Sequence, residues 1–150
     1  MEIKKFLEVI DLTPLVSIDL IIKRVDNKYL VGERTNKPAQ GYWFVPGGRI
    51  RKNETLSAAM KRISKVELGF EINIEDALLL GAFDHIYEDN FNATTGVNTH
   101  YVALGYQFSV PIEVCINTDS QHTDIKWLSV DELLNDDLVH ENTKKYFEPK

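Results

Sequence analysis

Residues 48–70 read GRIRKNETLSAAMKRISKVELGF, and this stretch decides the fold. Its apolar residues recur at the i, i+3, i+4 and i+7 spacing of one helix face, at Leu56, Ala59, Met60 and Ile63. Asn53 is of a type that caps helix N-termini, and Gly69 suits the position just past a helix C-terminus. The sequence therefore predicts a helix between Asn53 and Gly69, preceded by a turn at residues 46–48.

Short apolar runs on both sides of this helix are bounded by turn residues and predict strands. A capping-box pattern at Ser129 and Glu132 opens another helix, and further short helices are predicted at 2–10 and around 144–145. Strands and helices do not alternate regularly, so the predicted fold class is α+β, a sandwich with a mixed β-sheet in one domain over residues 1–150. The predicted strands are 15–25, 29–31, 42–45, 77–87, 101–110 and 125–128.

The chain is acidic, with 17 Lys and Arg against 23 Asp and Glu, and its formal net charge is −6 over 150 residues. This balance gives no general attraction for phosphate backbones, so we expect no nucleic-acid partner, and any bound anion needs a local basic cluster. No secretion signal and no apolar run of membrane-spanning length is found, so we expect a soluble, cytoplasmic protein without a membrane partner. The lone Cys115 has apolar neighbours and is predicted to be a buried, inert thiol.

Five residues around the predicted helix stand at a characteristic spacing, namely Gly48, Glu54, Arg62, Glu67 and Gly69. This pattern resembles the Nudix box, in which a Gly, a Glu, an Arg, a cluster of Glu residues and a terminal Gly recur at these intervals. The resemblance implies a Nudix-type α/β/α sandwich and a substrate that contains a nucleoside diphosphate linked to another group. We also expect Arg62 to pair with Glu54 in a structural role.

The box is altered on the helix face that carries its acids. Residues 63, 66 and 67 share one face, and carboxylates at all three would hold divalent cations against a diphosphate. Ile63 and Val66 stand at two of these positions, and only Glu67 is acidic. The change weakens multi-metal binding and removes the usual candidates for activating a water at phosphorus. The alternative interpretation is a degenerate structural remnant in which Glu67 is simply solvated.

A longer match extends the resemblance from about residue 13 to about residue 147. Residues 34–49, 99–101 and 120–122, together with the missing box acids, resemble the GDP-mannose mannosyl hydrolase branch of the Nudix family. The resemblance implies hydrolysis of GDP-mannose, and of GDP-glucose, by Mg-assisted attack of water at the anomeric carbon with inversion. The products would be GDP and free sugar, and the resemblance also suggests a homodimer.

One Mg²⁺ per active site, with Mn²⁺ as a substitute, is the expected cofactor. A divalent cation can neutralise charge on a departing diphosphate. Glu67 would need oxygen partners from outside the box, and the two candidates are the carbonyl of Gly47 and the side chain of Gln121. A Gln in a polar loop can instead be an ordinary surface residue.

His122 is the predicted catalytic base, because an imidazole accepts a proton near neutral pH. A metal-bound diphosphate leaves without protonation, so a single base suffices. Arg34 and Arg49 are expected to stabilise departing GDP, since a guanidinium stays charged and forks onto phosphate oxygens. Tyr101 matches a substrate-contacting residue of the resembling family, and its hydroxyl could donate to a phosphate or sugar oxygen. The alternatives are a surface role for His122 and the arginines and a core role for Tyr101.

Asp19 and His85 also match active-site positions of the resembling family. Asp19 lies inside a predicted strand, where an acid needs a hydrogen-bonding partner, and a sugar hydroxyl or guanine N–H would serve. The remaining candidates are interpreted as surface, structural or core residues: Arg51, Lys52, His100, His140, Trp43 and Phe44.

Two other functions stay open on the sequence. A nucleotide-sugar pyrophosphatase would cut between the phosphates and place the water oxygen on phosphorus. A non-catalytic nucleotide-sugar sensor would bind without turnover, as Ile63 and Val66 would allow. Residues with catalytic chemistry are retained together, which disfavours the sensor: Arg34, Arg49, Glu67, Gln121 and His122.

Overall fold

The structure, a computed structural model, describes residues 2–118 and 122–149, with only the backbone described at 122 and 123. Among these residues, every helix is too short or too polar to cross a bilayer. The helices are α1 (Ile3–Leu12), α2 (Leu56–Leu68), α3 (Val130–Asn135) and α4 (Glu141–Lys144), with a 3-10 helix at Ile74–Asp76. The strands are β1 (Leu15–Arg24), β2 (Tyr29–Arg34), β3 (Trp43–Phe44), β4 (Gly47–Arg49), β5 (Leu78–Tyr87), β6 (Thr99–Val110) and β7 (His122–Leu128).

The seven described strands form one sheet in the order β3-β2-β1-β6-β5, with β4 paired to β1 and β7 paired to β2. Strands β1 and β6 run parallel, from Leu15 opposite Tyr101 to Arg24 opposite Val110. All other strand pairs are antiparallel. The predicted α+β class with a mixed sheet is therefore confirmed, and the parallel pair lies at its centre.

The sheet has a hydrophobic cluster on each side, so side chains alternate between two cores along its strands. Ile18 and Leu20 of β1 pack against α2, while Ser17 and Asp19 lie at the alternate positions and face away from that helix. The cluster beneath α2 includes Ile18, Leu20, Ile22, Met60, Ile63 and Leu68. The second cluster, next to α3 and the C-terminal segment, includes Val31, Val45, Leu128, Leu133 and Val139.

Helix α2 forms where the periodicity predicts it, but its N-cap differs from the prediction. Thr55 is the cap, because its hydroxyl accepts a hydrogen bond from the N–H of Ala58 at 3.1 Å. Asn53 has a φ of 67° and therefore lacks the extended backbone of a capping residue. Gly69 follows the last helical residue with a φ of 90°, as predicted.

Residues 47–49 form strand β4 where the sequence predicts a turn. Gly47 pairs with Asp19 of β1, and a Cβ added at Gly47 would lie 2.6 Å from the carbonyl oxygen of Ile18. Only a residue without a side chain lets the two backbones approach this closely. The start of the box is thereby held against the strand that carries Asp19.

Cys115 is exposed, so the prediction of a buried thiol is wrong. The segment from 111 to 118 is neither helix nor strand. Its neighbours Val114 and Ile116 pack against the core beneath α2, and Cys115 between them faces solvent. The apolar neighbours indicate burial at 114 and 116 but not at the residue between them.

Candidate active site

A cavity of about 310 Å³ lies where β1, β4, β5 and β6 meet. It collects residues from six different strands, so it exists only in the folded chain. Six of the residues predicted to act in catalysis, substrate binding or metal binding line this cavity: Asp19, Arg34, Gly47, Arg49, His85 and Tyr101.

The strand pairing explains why these side chains share one face of the sheet. Tyr101 of β6 lies beside Leu15 of β1 and beside His85 of β5. Directly paired residues project to the same side, and so do residues two positions apart on one strand. Asp19 is four positions from Leu15, so it projects into the same cavity as Tyr101 and His85.

Asp19 is a largely buried acid with two neighbours on one oxygen. Its Oδ2 accepts a hydrogen bond from the Tyr146 hydroxyl at 2.6 Å and lies 3.6 Å from Nδ1 of His85. Burial raises the pKa of Asp19 to about 7, while the Tyr146 hydrogen bond and the charge of Arg34 act to lower it. Near neutral pH this carboxyl group is therefore divided between its two protonation states.

His85 is a buried imidazole that stays neutral at pH 7. Burial, followed by the charges of Lys145 and His140, lowers the pKa of His85 to about 4. Its Nε2 is buried and has no hydrogen-bond partner among the described residues. A buried polar atom without a partner is costly, so a hydroxyl of a ligand could satisfy it here.

Two arginines line the cavity, each with its guanidinium against an aromatic ring. The Cζ of Arg34 lies 5.6 Å from the centroid of the Phe44 ring, and the Cζ of Arg49 lies 4.8 Å from that of Phe6. The Nε of Arg34 also donates to the carbonyl of Asn36 at 3.2 Å. In a chain of net charge −6, this pair is the local basic cluster that an anion would require.

Tyr101 and His122 are the other predicted catalytic groups that lie in strands. Burial raises the pKa of Tyr101 against the charges of Arg34 and Arg49, so its hydroxyl is protonated at neutral pH and can donate. The backbone of His122 lies opposite Arg34 in the pairing of β2 with β7. The side chain of His122 and the whole of Gln121 lie outside the described residues.

The start of the box contacts α2 through Glu67 and Ile63. The N–H of Gly47 donates to Oε1 of Glu67 at 3.0 Å, and Glu67 is only 7% exposed. The interpretation of Glu67 as a solvated side chain is therefore wrong. Ile63 is 2% exposed, and a Cβ added at Gly48 would lie 3.1 Å from its Cγ1. One position that carries an acid in the usual box is thus filled by a packed core residue.

The residues expected to hold a metal fit Mg²⁺ in their chemistry. Glu67 and Gly47 meet in the fold, and a carboxylate with a backbone carbonyl are oxygen ligands of the kind that Mg²⁺ prefers. Within the described ranges there is no group of three or more His, Cys, Asp or Glu that could hold a metal. Any site at Glu67 must therefore draw on carbonyl, amide or substrate oxygens, as the sequence predicts.

Arg62 and Glu54 form the predicted ion pair. The Nε of Arg62 donates to Oε2 of Glu54 at 2.7 Å, and one Nη donates to the carbonyl of Arg49 at 2.8 Å. The contact with Arg49 ties α2 to the strand that borders the cavity. Arg51 and Lys52, on the same loop, are exposed as expected.

Several lining residues were not singled out as functional, notably Phe6, Ser17, Phe44 and Tyr87. Phe44 is 7% exposed, which agrees with its interpretation as a core residue, but its ring also borders the cavity. Tyr87 follows His85 by two residues on β5, and this alternation could have identified it. Burial raises the pKa of Tyr87 to about 12, so its hydroxyl is protonated. Tyr146 carries no comparable signal because it is 127 positions from Asp19.

A second cavity, of about 610 Å³, adjoins the first and shares Phe6, Arg34 and Tyr101 with it. It lies between α1, the segment after β2 and the segment before β6. Phe91 forms part of its wall, and the Phe91 ring lies 5.2 Å from that of Phe6. The buried side chain of Asn90 makes four hydrogen bonds to the backbone of its own loop, which fixes the position of Phe91.

Comparison with known proteins identifies the family to which this chain is similar. The family model described as a NUDIX domain matches residues 13–148. The chain is similar to the low-salt glycan biosynthesis protein Agl8 of Haloferax volcanii, with 40% identity over 114 residues, 75% of this chain and 69% of that protein. It is also similar to an ADP-ribose pyrophosphatase of Methanocaldococcus jannaschii, with 38% identity over 72 residues, 48% of this chain and 41% of that protein. The crystal structure of a MutT NUDIX hydrolase from Burkholderia pseudomallei aligns with a TM-score of 0.69 and 26% identity, covering 90% of this chain and 96% of that one.

Proposed function

This chain belongs to the NUDIX family of hydrolases, and we propose that it hydrolyses GDP-mannose, and GDP-glucose, to GDP and free sugar. Water attacks the anomeric carbon, the bond between that carbon and the diphosphate oxygen breaks, and the configuration at the carbon inverts. The electron pair of the broken bond leaves with GDP, and the proton of the attacking water passes to a base on the protein.

The observation that carries this proposal is the combination of an altered box with a polar cavity bordered by cations. Ile63 is packed in the core, so the box helix lacks an acid that could activate a water at phosphorus. Arg34 and Arg49 line the cavity and can bind a diphosphate. Asp19 and His85 lie in the same cavity and offer the hydrogen-bonding groups that a sugar needs.

The two cavities supply separate places for the two ends of a nucleotide sugar. In the proposed arrangement the sugar faces Asp19 and His85, and the diphosphate lies by Arg34 and Tyr101, which both cavities share. The nucleoside occupies the larger cavity, where the ring of Phe91 can contact a base. Discrimination among sugars then depends on the hydroxyls that meet the first cavity.

The proposed base is His122, whose backbone pairs with the backbone of Arg34 at the edge of the site. A positioned base contributes about 10²–10⁴ in rate. Glu67, the Gly47 carbonyl and Gln121 would hold one Mg²⁺, which supplies charge neutralisation to the leaving diphosphate. Because GDP then leaves without protonation, the site needs no second carboxylate as an acid.

The relatives support a sugar nucleotide as the substrate class. A relative with 40% identity is named for glycan biosynthesis, and glycans are assembled from activated sugars. That name is compatible with an enzyme that acts on a sugar joined to a nucleoside diphosphate.

The bond that is cut can be read directly with ¹⁸O-labelled water. GDP-mannose and Mg²⁺ are incubated with the protein, and the products are separated and analysed by mass spectrometry. We expect the label in free mannose and none in GDP. Label in a phosphate of either product would overturn attack at carbon. Proton NMR of the anomeric position during the same reaction reports inversion as the β-anomer of mannose appears first from the α-linked substrate.

The role of His122 is tested by His122→Gln, which keeps a polar side chain but removes the titratable ring. We expect kcat for GDP-mannose to fall by about 10²–10⁴. His100→Gln is the matched control, because His100 lies on β6 but does not line either cavity. Equal kcat values for the two variants would remove His122 from the mechanism.

A pyrophosphatase is the second candidate function, because one relative with 38% identity is an ADP-ribose pyrophosphatase. It predicts cleavage between the phosphates and formation of GMP with mannose 1-phosphate. The buried Ile63 opposes this reaction, since it stands where a metal-binding acid of the usual box would lie. The ¹⁸O experiment separates the two candidates, and a protein that binds GDP-mannose without any product would indicate a sensor.

A further inference from the structure

Tyr146 lies far along the chain from every motif of the site, yet it contacts the buried acid within it. We propose that Tyr146 is a positioning residue whose hydroxyl holds the carboxyl group of Asp19 in the orientation that binds the sugar portion of the substrate. This inference rests on the proposed function, because that function assigns the sugar to Asp19.

Both carboxyl oxygens of Asp19 lie against specific neighbouring residues. Oδ2 accepts the Tyr146 hydroxyl at 2.6 Å and lies near Nδ1 of His85. Oδ1 lies over Gly47 of β4, where an added Cβ would collide with it. The Asp19 side chain is 16% exposed, so only a small part of it can meet a ligand in the cavity. Its orientation therefore decides which lone pairs a sugar hydroxyl encounters.

The ring of Tyr146 is held in place by contacts with β5 and β6. It lies against Gly105 of β6, the residue opposite Asp19, and a side chain at Gly105 would collide with the ring. Phe83 packs edge-on against Tyr146, with ring centroids 4.6 Å apart. The ring is thus held between a strand without a side chain and an aromatic neighbour, which fixes the position of its hydroxyl.

The C-terminal segment presents three contacts to the cavity wall at intervals of three residues. His140 stacks on Phe44 with ring centroids 4.8 Å apart, and the Oγ1 of Thr143 accepts the N–H of Val45 at 3.1 Å. Tyr146 makes the third contact, to Asp19. Backbone bonds from Thr143 N–H to the His140 carbonyl and from Tyr146 N–H to the Thr143 carbonyl keep these side chains on one side. The segment therefore forms the back of the site.

The decisive variant is Tyr146→Phe, which keeps the ring and its packing but removes the donor. We expect kcat/KM for GDP-mannose to fall about tenfold, the effect of losing one hydrogen bond to a largely buried carboxyl group. The Kd for GDP alone should change less than about twofold, because GDP lacks the sugar that Asp19 binds. A purely structural role would weaken both measurements together, and that result would overturn the proposal.

A double-mutant cycle tests whether Tyr146 acts through Asp19. In an Asp19→Ala background, Tyr146→Phe should lower kcat/KM by less than about twofold, since the acceptor is already gone. The same tenfold loss in both backgrounds would overturn the proposal. Tyr29→Phe is the matched control, because Tyr29 packs against Phe147 of the same segment at 4.8 Å and does not line the cavity. We expect wild-type kinetics from this control.

The inference and the proposed function fail in different ways. If the wild-type protein does not release mannose, the proposed function fails, and the contact is then judged by NMR alone. The Tyr146 hydroxyl proton should give a slowly exchanging resonance that is absent from Tyr146→Phe and from Asp19→Ala. If the wild-type protein does turn over but Tyr146→Phe equals it in kcat/KM, the function stands and the positioning role is wrong.

Discussion

Helix α2 and the sheet face around Asp19 both border the site, but they are built in opposite ways. On α2, Ile63 and Ser64 are buried at 2% and 0% exposure, and Ser64 satisfies its hydroxyl by donating to Met60 and accepting from the N–H of Ile72. On the sheet face, Asp19 is largely buried and His85 is buried, and their pKa values are shifted to about 7 and about 4. The packing of the helix residues stabilises the fold, whereas burial of the polar groups on the sheet face lowers the stability of the fold.

This difference indicates that the packed helix residues support the fold and that the polar groups of the sheet face serve function. A buried group with a strongly shifted pKa lowers stability and is a marker of function. Residues of the box helix such as Ile63 follow the ordinary rules of a core. We therefore expect substitutions at the packed α2 residues Ile63 and Ser64 to act mainly on folding, and substitutions on the sheet face to act mainly on activity.

The largest expected effect is on stability, when the acid of the usual box is restored at position 63. Ile63→Glu buries a carboxylate beneath the sheet and should lower the free energy of unfolding by about 3–5 kcal/mol. Val66→Glu is the matched control, since Val66 is 39% exposed and its substitution should cost less than about 0.5 kcal/mol. Urea unfolding followed by circular dichroism measures both. Equal stability of the two variants would contradict the view of α2 as a packed support.

The second prediction concerns the cations of the cavity. Arg34→Ala removes a group proposed to bind the diphosphate and should lower kcat/KM for GDP-mannose about 10²-fold, or about 2.7 kcal/mol. Arg51→Ala is the control, because Arg51 is exposed and does not line the cavity. Steady-state kinetics with GDP-mannose check this. A similar loss from both arginines would indicate a general effect of net charge and not a specific contact.

The third prediction is a gain of stability at the expense of activity. Between the ordinary pKa of 3.8 and about 7, folded Asp19 keeps a proton that the unfolded chain has released, so its contribution to stability falls as pH rises through that window. Asp19→Asn removes this effect and should raise the free energy of unfolding by about 2 kcal/mol at pH 8. It should lower kcat/KM for GDP-mannose at the same time.

Unfolding measured at pH 3 supplies the control for Asp19→Asn. At that pH the carboxyl group is protonated in both states, so the difference between variant and wild type should shrink. A gain of equal size at pH 3 and pH 8 would mean that the raised pKa of Asp19 is not its source.

The smallest expected effect is on the ion pair of the box. Hydrogen bonding from Arg62 lowers the pKa of Glu54 to about 2, so the pair stabilises the fold above the ordinary pKa of 4.5 and loses this effect as pH falls toward 2. Glu54→Gln should cost about 0.5–1 kcal/mol at pH 7 and little near pH 2. Thermal unfolding at both values measures it, with the exposed Glu71→Gln as control. A pH-independent loss would mean that packing, and not charge, holds Glu54.

Local pattern was sufficient for most elements of this fold, but it missed β4, which forms by pairing with the distant strand β1. The apolar spacing of α2 identified Ala59, Met60 and Ile63 on its buried face, although Leu56 at the start of the pattern is 43% exposed. The capping box at Ser129 and Glu132 formed as predicted. The N-cap was missed by two positions because Thr55 and Asn53 are both capping types, and only the backbone conformation separates them. The exposure of Cys115 was missed because that segment is not a strand and has no regular alternation of buried and exposed residues.

The site itself was accessible to sequence reasoning only in part. Six of the lining residues were named through resemblance to a known box and its surroundings, and no local rule would have joined Asp19 to His85. Tyr87 could have been found from its alternation with His85 on β5. Tyr146 could not, because its contact with Asp19 depends on the ring lying over Gly105 in the folded sheet.

The contact between Asp19 and Tyr146 also has a consequence for synthesis. It spans 127 positions, so the acid emerges from the ribosome long before its hydroxyl partner is translated. A nascent chain released by premature termination after α3 would contain the box, both arginines and His85. It would still lack Tyr146, the residue whose hydroxyl donates to Asp19. Full activity should therefore appear only when translation has passed Tyr146.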